Sequence, residues 1–87
     1  MHYFYILLSE KDEKLYKGYS ENLKKRVIEH NSGKVPATKP RRPLKLIYYS
    51  AFPNKYDALA AERYFKSSAG KRRIKQMLKN HFAKISQ

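Results

Sequence analysis

Residues 15–34, LYKGYSENLKKRVIEHNSGK, contain the change from strand to helix that decides the fold. The first five residues are apolar, aromatic or glycine and predict a β-strand. Ser20 or Asn22 is suited to cap a helix that runs from about residue 22 to 31, and Gly33 is suited to end it. This stretch therefore predicts a strand that leads directly into an amphipathic helix.

Two polar residues lie on the apolar side of this predicted helix. At about 100° per residue, Arg26 and His30 share one stripe with Leu23 and Val27. An unpaired buried charge is costly, so these side chains either extend along the helix edge or line a cleft that holds an anion. A histidine such as His30, taken alone, is more often a hydrogen-bonded structural residue. The pair together indicates a functional site on this face.

The segments on either side extend the pattern into a sheet. YFYILL (3–8) predicts a buried strand and residues 9–14 predict a turn, so residues 15–19 return as the second strand of a hairpin. Residues 34–43 carry three prolines and predict a basic loop rather than a helix. LKLIYYSAF (44–52) predicts a third strand, which we expect to be internal.

The last third of the chain is predicted to be helical. Asn54 is suited to cap a helix with the sequence KYDALAAERYFKSS, and Gly70 is expected to end it. A final helix is indicated by apolar-side residues at helical spacing: Ile74, Met77, Leu78, His81, Phe82 and Ile85. The prediction is one α+β domain over residues 1–87, a small three-stranded antiparallel sheet packed with three helices in the order β-β-α-β-α-α.

The charge of the chain indicates a polyanionic partner. It has 20 Lys and Arg residues against 7 Asp and Glu, a net charge of +13, and residues 63–87 contain no acid. Nucleic acid is the first candidate for such a surface. A merely solvated cationic protein, or one that lies on anionic lipid through its basic last helix, is the alternative. The apolar stripe of that helix, however, is needed for so small a core.

Composition also excludes several classes of protein. The chain has no cysteine, which excludes disulfides and thiolate metal sites. The apolar run from Phe4 to Leu8 is far too short for a membrane span or a signal peptide. We expect a cytoplasmic protein without a membrane partner.

A carboxylate interrupts the apolar side of the helix after the third strand. Ala58, Glu62 and Phe65 lie at i, i+4 and i+7. The simpler explanation for Glu62 is a surface ion pair with Lys66, and the other is a metal ligand. Acids are scarce, so the chain lacks the convergent carboxylates of a two-metal site. One Mg²⁺ that keeps several waters is the feasible alternative.

Tyrosines are concentrated on the first two strands. Tyr3 and Tyr5 lie on the same side of the first strand, and Tyr16 and Tyr19 lie on either side of Gly18. Each is an ordinary strand residue, but a phenol can also position a water molecule or act as a base where cations lower its pKa. Gly18 permits a close approach of backbone or ligand.

These residues together resemble the GIY-YIG nuclease superfamily. YFY (3–5) and YKG (16–18) stand where that family has its two tripeptides, and the resemblance covers residues 3 to about 70. The set at similar spacing is Tyr5, Tyr16, Arg26, His30 and Glu62. The chain is most similar to the small stand-alone bacterial members, and it also resembles the N-terminal catalytic domain of the excision-repair incision subunit.

The chain departs from the family pattern at several positions. Tyr3 and Phe4 replace glycine and isoleucine in the first tripeptide, and Lys17 replaces isoleucine in the second. Lys17 is expected to point away from Tyr16, towards solvent or DNA. Many members also have an asparagine after the glutamate helix, and Asn80 is present here at a spacing that does not match.

The resemblance implies metal-dependent hydrolysis of DNA phosphodiesters, in repair or recombination. Tyr16 would be the general base or would orient the attacking water, and Tyr5 would help to hold that water and the phosphate. Arg26 would stabilise charge on the phosphoryl oxygens, and His30 would assist proton transfer through a tyrosine hydroxyl. Glu62 would hold one Mg²⁺ or Mn²⁺.

Further basic residues are predicted to contact the nucleic acid. They are Lys17, Lys34, Lys39, Arg41, Arg42, Lys66, Lys71, Arg72 and Arg73. The alternative function is a nucleic-acid-binding module that cleaves weakly or not at all. RNA in place of DNA, the structure cut, and any protein partner stay open at this point.

Overall fold

The computed structural model describes residues 1–85, with side chains described to residue 83. Its elements are β1 (His2–Ser9), β2 (Leu15–Ser20), α1 (Leu23–Asn31), a 3-10 turn (Lys39–Arg41), β3 (Leu44–Phe52), α2 (Lys55–Lys66), α3 (Ser68–Met77) and α4 (Lys79–Ile85). The predicted α+β class and element order are confirmed. The expected inward position of the Ile85 side chain lies outside the described residues.

The sheet is antiparallel with the strand order β2-β1-β3. β1 is the central strand, and its residues from Phe4 to Ser9 are all buried. The expectation that β3 is internal is wrong, since β3 is an edge strand with Tyr49 about half exposed. Helices cover both faces of the sheet, so even an edge strand needs apolar and aromatic side chains.

Alternate residues of β1 point to opposite faces and enter two separate clusters. Tyr5 and Leu7 pack with Leu44 and with the apolar side of α1. Phe4 and Ile6 pack with Ile74 of α3, and partly buried residues of α2 and α4 join them. The sheet thus lies between α1 on one face and the remaining helices on the other.

Both ends of α1 and the start of α2 follow the predicted signals. The Asn22 side chain accepts a hydrogen bond from the backbone N–H of Lys25 and begins α1. Gly33 has a φ of +80° just after α1, a conformation that favours glycine. The side chain of Asn54 caps α2 by accepting from the N–H of Tyr56.

The predicted stop at Gly70 is wrong. α2 ends at Lys66, and the Ser67 side chain then caps α3 by accepting from the N–H of Gly70, which lies inside α3. Gly70 is required by close helix packing rather than by a chain break, because a Cβ there would overlap the backbone of Tyr64 and Phe65. The single final helix of the prediction is divided at Leu78 into α3 and α4.

Candidate active site

The site is built around the hydroxyl group of Tyr5. Tyr5 of β1 is paired with Gly18 of β2, and a Cβ at position 18 would lie only 2.5 Å from the Tyr5 hydroxyl oxygen. Glycine therefore lets the phenol ring lie across the backbone of β2. The close approach that Gly18 was expected to permit is to this side chain.

His30 of α1 makes a hydrogen bond to this hydroxyl. Its Nε2 lies 2.8 Å from the Tyr5 oxygen, and its Nδ1 lies 2.7 Å from Oγ1 of Thr38. The imidazole is fully buried. Burial first, and the positive charge of Arg26 second, lower the pKa of His30 to about 4. His30 is therefore neutral at physiological pH.

The donors and acceptors of this chain run in one direction. The hydroxyl of Thr38 lies 3.5 Å from the Val35 carbonyl oxygen, to which it donates. We assign the tautomer of His30 on this basis: its Nδ1–H donates to Thr38 Oγ1, and its unprotonated Nε2 accepts from the hydroxyl of Tyr5. With its proton committed to His30, the Tyr5 oxygen offers its lone pairs to other groups.

Sequence reasoning missed Thr38, which is fully buried in the loop after α1. The loop is held in place by Asn31, whose side chain donates to the Leu44 carbonyl at 2.9 Å and accepts from the Leu44 N–H at 2.7 Å. One signal could have identified the threonine, because it is the only hydroxyl residue among residues 34–43.

Arg26 lies one helical turn before His30 and shares its face, as predicted. Its guanidinium interacts with the Tyr5 hydroxyl, and this interaction raises the pKa of Arg26. It also forms an ion pair with Glu29 at 3.5 Å, and its side chain is 37% exposed. Burial nevertheless raises the pKa of Tyr5 to about 12 against the opposing effect of Arg26. Tyr5 is therefore a neutral phenol held beside a cation.

Tyr16 of β2 completes the aromatic part of the site. Its ring packs edge-on against His30 with centroids 5.0 Å apart, and its centroid lies 6.4 Å from that of Tyr5. The other two tyrosines of these strands have separate partners. Tyr3 packs against Tyr49, and the Tyr19 hydroxyl lies 2.8 Å from Nδ1 of His2.

Glu62 belongs to α2, in the helix layer on the other face of the sheet, and acts on Tyr5 through its charge. Its negative charge is close enough to Tyr5 to contribute to the raised pKa of that phenol. Its Oε2 lies 2.9 Å from Nζ of Lys66, so the predicted surface ion pair is present. Within residues 1–85, no group of three or more His, Cys, Asp or Glu residues forms a metal-binding cluster. Any metal held here by protein ligands would depend on this single carboxylate.

The predicted nucleic-acid contacts are distributed over two regions. Arg41 of the loop is ion-paired with Asp12 at 2.7 Å, which lowers the pKa of that carboxyl to about 2. Lys17 is partly buried, and the charges of Lys71 and Lys66 act on it. The other predicted contacts are exposed: Lys34, Lys39 and Arg42 on the loop, Lys66 on α2, and Lys71, Arg72 and Arg73 on α3. Asn80 is exposed on α4, in the helix layer opposite α1.

The fold and this constellation define a class of protein. Residues 1–76 match the family model of the GIY-YIG catalytic domain, and the chain belongs to the GIY-YIG family. No helix among the described residues is long and apolar enough to cross a lipid bilayer.

The relatives of the chain are small bacterial proteins. It is 44% identical over 81 residues to the UPF0213 protein in the ldhD 5′ region of Pediococcus acidilactici, which covers 90% of this chain and 82% of that protein. It is 44% identical over 73 residues to the UPF0213 protein YazA of Bacillus subtilis, covering 83% and 73%. The solution NMR structure of the UPF0213 protein BH0048 from Bacillus halodurans matches with a TM-score of 0.54 and 35% identity, over 87% of this chain and 83% of that chain.

Acid is expected to destabilise the protein through His30. Its pKa falls from 6.5 to about 4 on folding, so its stabilising contribution is complete above pH 6.5 and is lost as the pH falls towards 4. The free energy of unfolding is expected to fall by about 1.4 kcal/mol per pH unit in this range, and by about 3 kcal/mol in total. Urea unfolding at a series of pH values across this range measures it.

Two variants isolate the histidine contribution. His30→Gln should remove most of this slope, whereas Asp12→Asn should leave it unchanged. The lowered pKa of Asp12 gives stability that is lost only below its ordinary value of 3.8, as the pH falls towards 2. An unchanged slope in His30→Gln would contradict the assignment of a neutral buried imidazole.

Proposed function

We propose that the protein is a metal-dependent endonuclease that hydrolyses phosphodiester bonds in DNA, in repair or recombination. The observation that carries this proposal is that His30 and Arg26 both interact with the hydroxyl of Tyr5, while the charge of Glu62 acts on the same phenol. A proton acceptor, a cation and a carboxylate around one hydroxyl are the groups that phosphodiester hydrolysis needs. The net charge of +13 provides attraction to a polyanionic substrate.

The hydrogen-bond chain supports a path for the proton of the attacking water. The Tyr5 oxygen accepts that proton as water attacks phosphorus, while the Tyr5 proton passes to Nε2 of neutral His30. In the assigned tautomer Thr38 accepts from Nδ1–H of His30, which leaves Nε2 free to accept from Tyr5. Because the pKa of Tyr5 is about 12 and that of His30 is about 4, neither a phenolate nor an imidazolium accumulates. Both transfers occur together, and His30 returns its proton to Tyr5 as Tyr5 releases the proton of the water to solvent. Tyr16, beside this pair, orients the water.

Arg26 and Glu62 supply the charges. The guanidinium of Arg26 is partly exposed and can contact a phosphoryl oxygen while it still touches Tyr5. Glu62 offers a hard oxygen ligand that suits Mg²⁺ or Mn²⁺, and its partner Lys66 is more than half exposed and free to turn away. A metal bound there would stabilise the leaving oxygen. The absence of a carboxylate cluster in the described residues favours a single ion with water ligands.

One observation favours a second candidate, a nucleic-acid-binding module that cleaves weakly or not at all. The Glu62 carboxylate is occupied by Lys66 at 2.9 Å. If this pair persists on DNA, the carboxylate does not bind a metal, and the basic surface acts in binding alone. Such a module would bind nucleic acid with strong salt dependence.

Removal of one oxygen atom from Tyr5 tests the nuclease proposal. Wild type is incubated with linear, nicked, flapped and branched DNA in the presence of Mg²⁺ or Mn²⁺, and the initial rate of strand cleavage is measured. Tyr5→Phe should lower this rate about a hundredfold, since general acid–base transfer contributes on that order. The matched control is Tyr49→Phe, which removes a hydroxyl from the residue paired with Tyr5 across the sheet.

The outcomes separate the two functions. Equal cleavage by wild type and Tyr5→Phe would exclude a role for this hydroxyl in the reaction. An absence of cleavage on every substrate, together with salt-dependent binding of DNA, would establish the binding module instead. Thermal unfolding of each variant shows whether a loss of activity reflects a loss of fold.

A further inference from the structure

A cavity of about 650 Å³ lies on the face of the sheet opposite Tyr5, between β2, α3 and α4. Its floor is apolar and its rim is basic. It is lined by Leu15, Lys17, Lys71, Ile74, Lys75, Lys79, Phe82 and Ala83. None of these lining residues, all within the described part of the chain, is acidic. The cavity therefore combines apolar surface with a concentrated positive charge.

The cavity adjoins the active site across a single strand. Tyr16 and Lys17 are consecutive residues of β2 and face opposite sides of the sheet. β2 is an edge strand, so a ligand can pass around it from one face to the other. Lys66, the partner of Glu62, lies close enough to Lys17 to act on its charge. Positive charge thus continues from Lys66, beside Glu62, to Lys17 at the cavity.

The charge of the cavity suits an anionic occupant, because Lys17, Lys71, Lys75 and Lys79 line it. The lowered pKa of Lys17, which burial and the charges of Lys71 and Lys66 cause, agrees with a concentration of positive charge at this place. The apolar floor in addition requires a flat or apolar group, and a cavity of this size accommodates one small molecule. A nucleotide has both parts, a phosphate for the lysines and a base for the floor around Phe82.

We propose that this cavity holds an unpaired nucleotide of the strand that is cut. Its base lies against Leu15, Ile74 and Phe82, and the adjoining phosphates contact Lys17, Lys71 and Lys75. The inference rests on the proposed nuclease function and specifies its substrate class. The substrate is DNA with an unpaired nucleotide next to the scissile phosphate, as in a flap, gap or branch, rather than intact duplex.

Binding without metal tests the base-binding role separately from cleavage. Fluorescence anisotropy in chelator compares a short oligothymidylate, an abasic oligonucleotide of equal length and charge, and a short duplex. Wild type should bind the oligothymidylate about tenfold more tightly than the abasic strand, as expected for one well-packed base. Ala83→Leu narrows the cavity without adding a ring and should abolish that preference.

Salt dependence tests the phosphate contacts. Lys75→Ala should lower the slope of log affinity against log salt concentration by about 0.7 for single strands. The matched control is Lys45→Ala, an exposed lysine on β3 at the far edge of the sheet, which should change neither slope nor base preference. Both positions are exposed, so neither variant removes a core side chain.

The outcomes distinguish the proposed nucleotide site from the proposed nuclease function. Equal affinity of wild type for the thymidylate and abasic strands, unaffected by Ala83→Leu, would overturn the nucleotide site while nicking activity persists. Tighter binding of an oligoglutamate peptide than of the thymidylate at equal charge would assign the lysines to an acidic protein partner and would also overturn it. A base preference without nicking on any DNA would support the nucleotide site and remove the nuclease.

Discussion

Glu62→Gln is expected to lower the rate of DNA cleavage about a thousandfold or more, since a metal ion stabilises the transition state by several kcal/mol. Glutamine keeps the size of the side chain and its place on α2 but removes the charge that would attract the proposed metal ion. The affinity for DNA in chelator should stay the same or rise, because one negative charge near the phosphate is lost. Single-turnover cleavage and anisotropy measure the two quantities.

A matched substitution on the same helix controls for this variant. Asp57→Asn also neutralises a carboxylate of α2, but in its exposed first turn, and should leave cleavage unchanged. Excess Mn²⁺ should partly restore cleavage by Glu62→Gln, because an amide oxygen is a weaker ligand for the same ion. Equal rates for wild type and Glu62→Gln would show that the observed cleavage belongs to a contaminant.

Gly70→Ala is expected to lower the free energy of unfolding by about 3 kcal/mol, by overpacking a site that has no room for a methyl group. A Cβ at position 70 would overlap the carbonyl oxygen of Tyr64 and the Cα of Phe65, both backbone atoms of α2. These atoms cannot turn aside as a flexible side chain does. α3 would have to move away from α2, which would open the cluster that contains Phe4 and Ile74.

The sign of this effect distinguishes packing from helix propensity. Alanine is favoured over glycine in a helix by about 1 kcal/mol, so propensity alone predicts stabilisation. Ser68→Ala, an exposed substitution in the same helical turn, is the control and should change stability by less than about 1 kcal/mol. Urea unfolding followed by circular dichroism measures both. Greater stability of Gly70→Ala would contradict the close packing of α2 against α3.

Periodicity within single helices predicts part of the candidate site. Arg26 and His30 were identified by helical periodicity because both lie on the helix that contacts the sheet. Glu62 was identified as a carboxylate on the apolar side of α2, and the structure places its charge near Tyr5. Each of these predictions depends only on the spacing of apolar residues within one helix, which the local sequence contains.

Other features depend on contacts between elements. Tyr5 and His30 are 25 residues apart, and His30 and Thr38 are 8 residues apart across a loop. No local pattern states that a threonine between prolines will meet an imidazole. The same applies to Gly70, where the reason for glycine is the backbone of another helix. It applies also to the edge position of β3, because pairing order is not contained in the composition of a strand.

The sequence by itself determined the order of strands and helices, most helix caps, the basic character of the protein and the residue types of the site. These follow from periodicity, capping chemistry and charge, which act over a few neighbouring residues. Only the tertiary structure decided that His30 meets the hydroxyl of Tyr5, that Thr38 lies at its other ring nitrogen, and that a cavity lies beside Lys17. Hydrogen bonds and packing depend on distances between segments remote in sequence, and folding alone sets those distances.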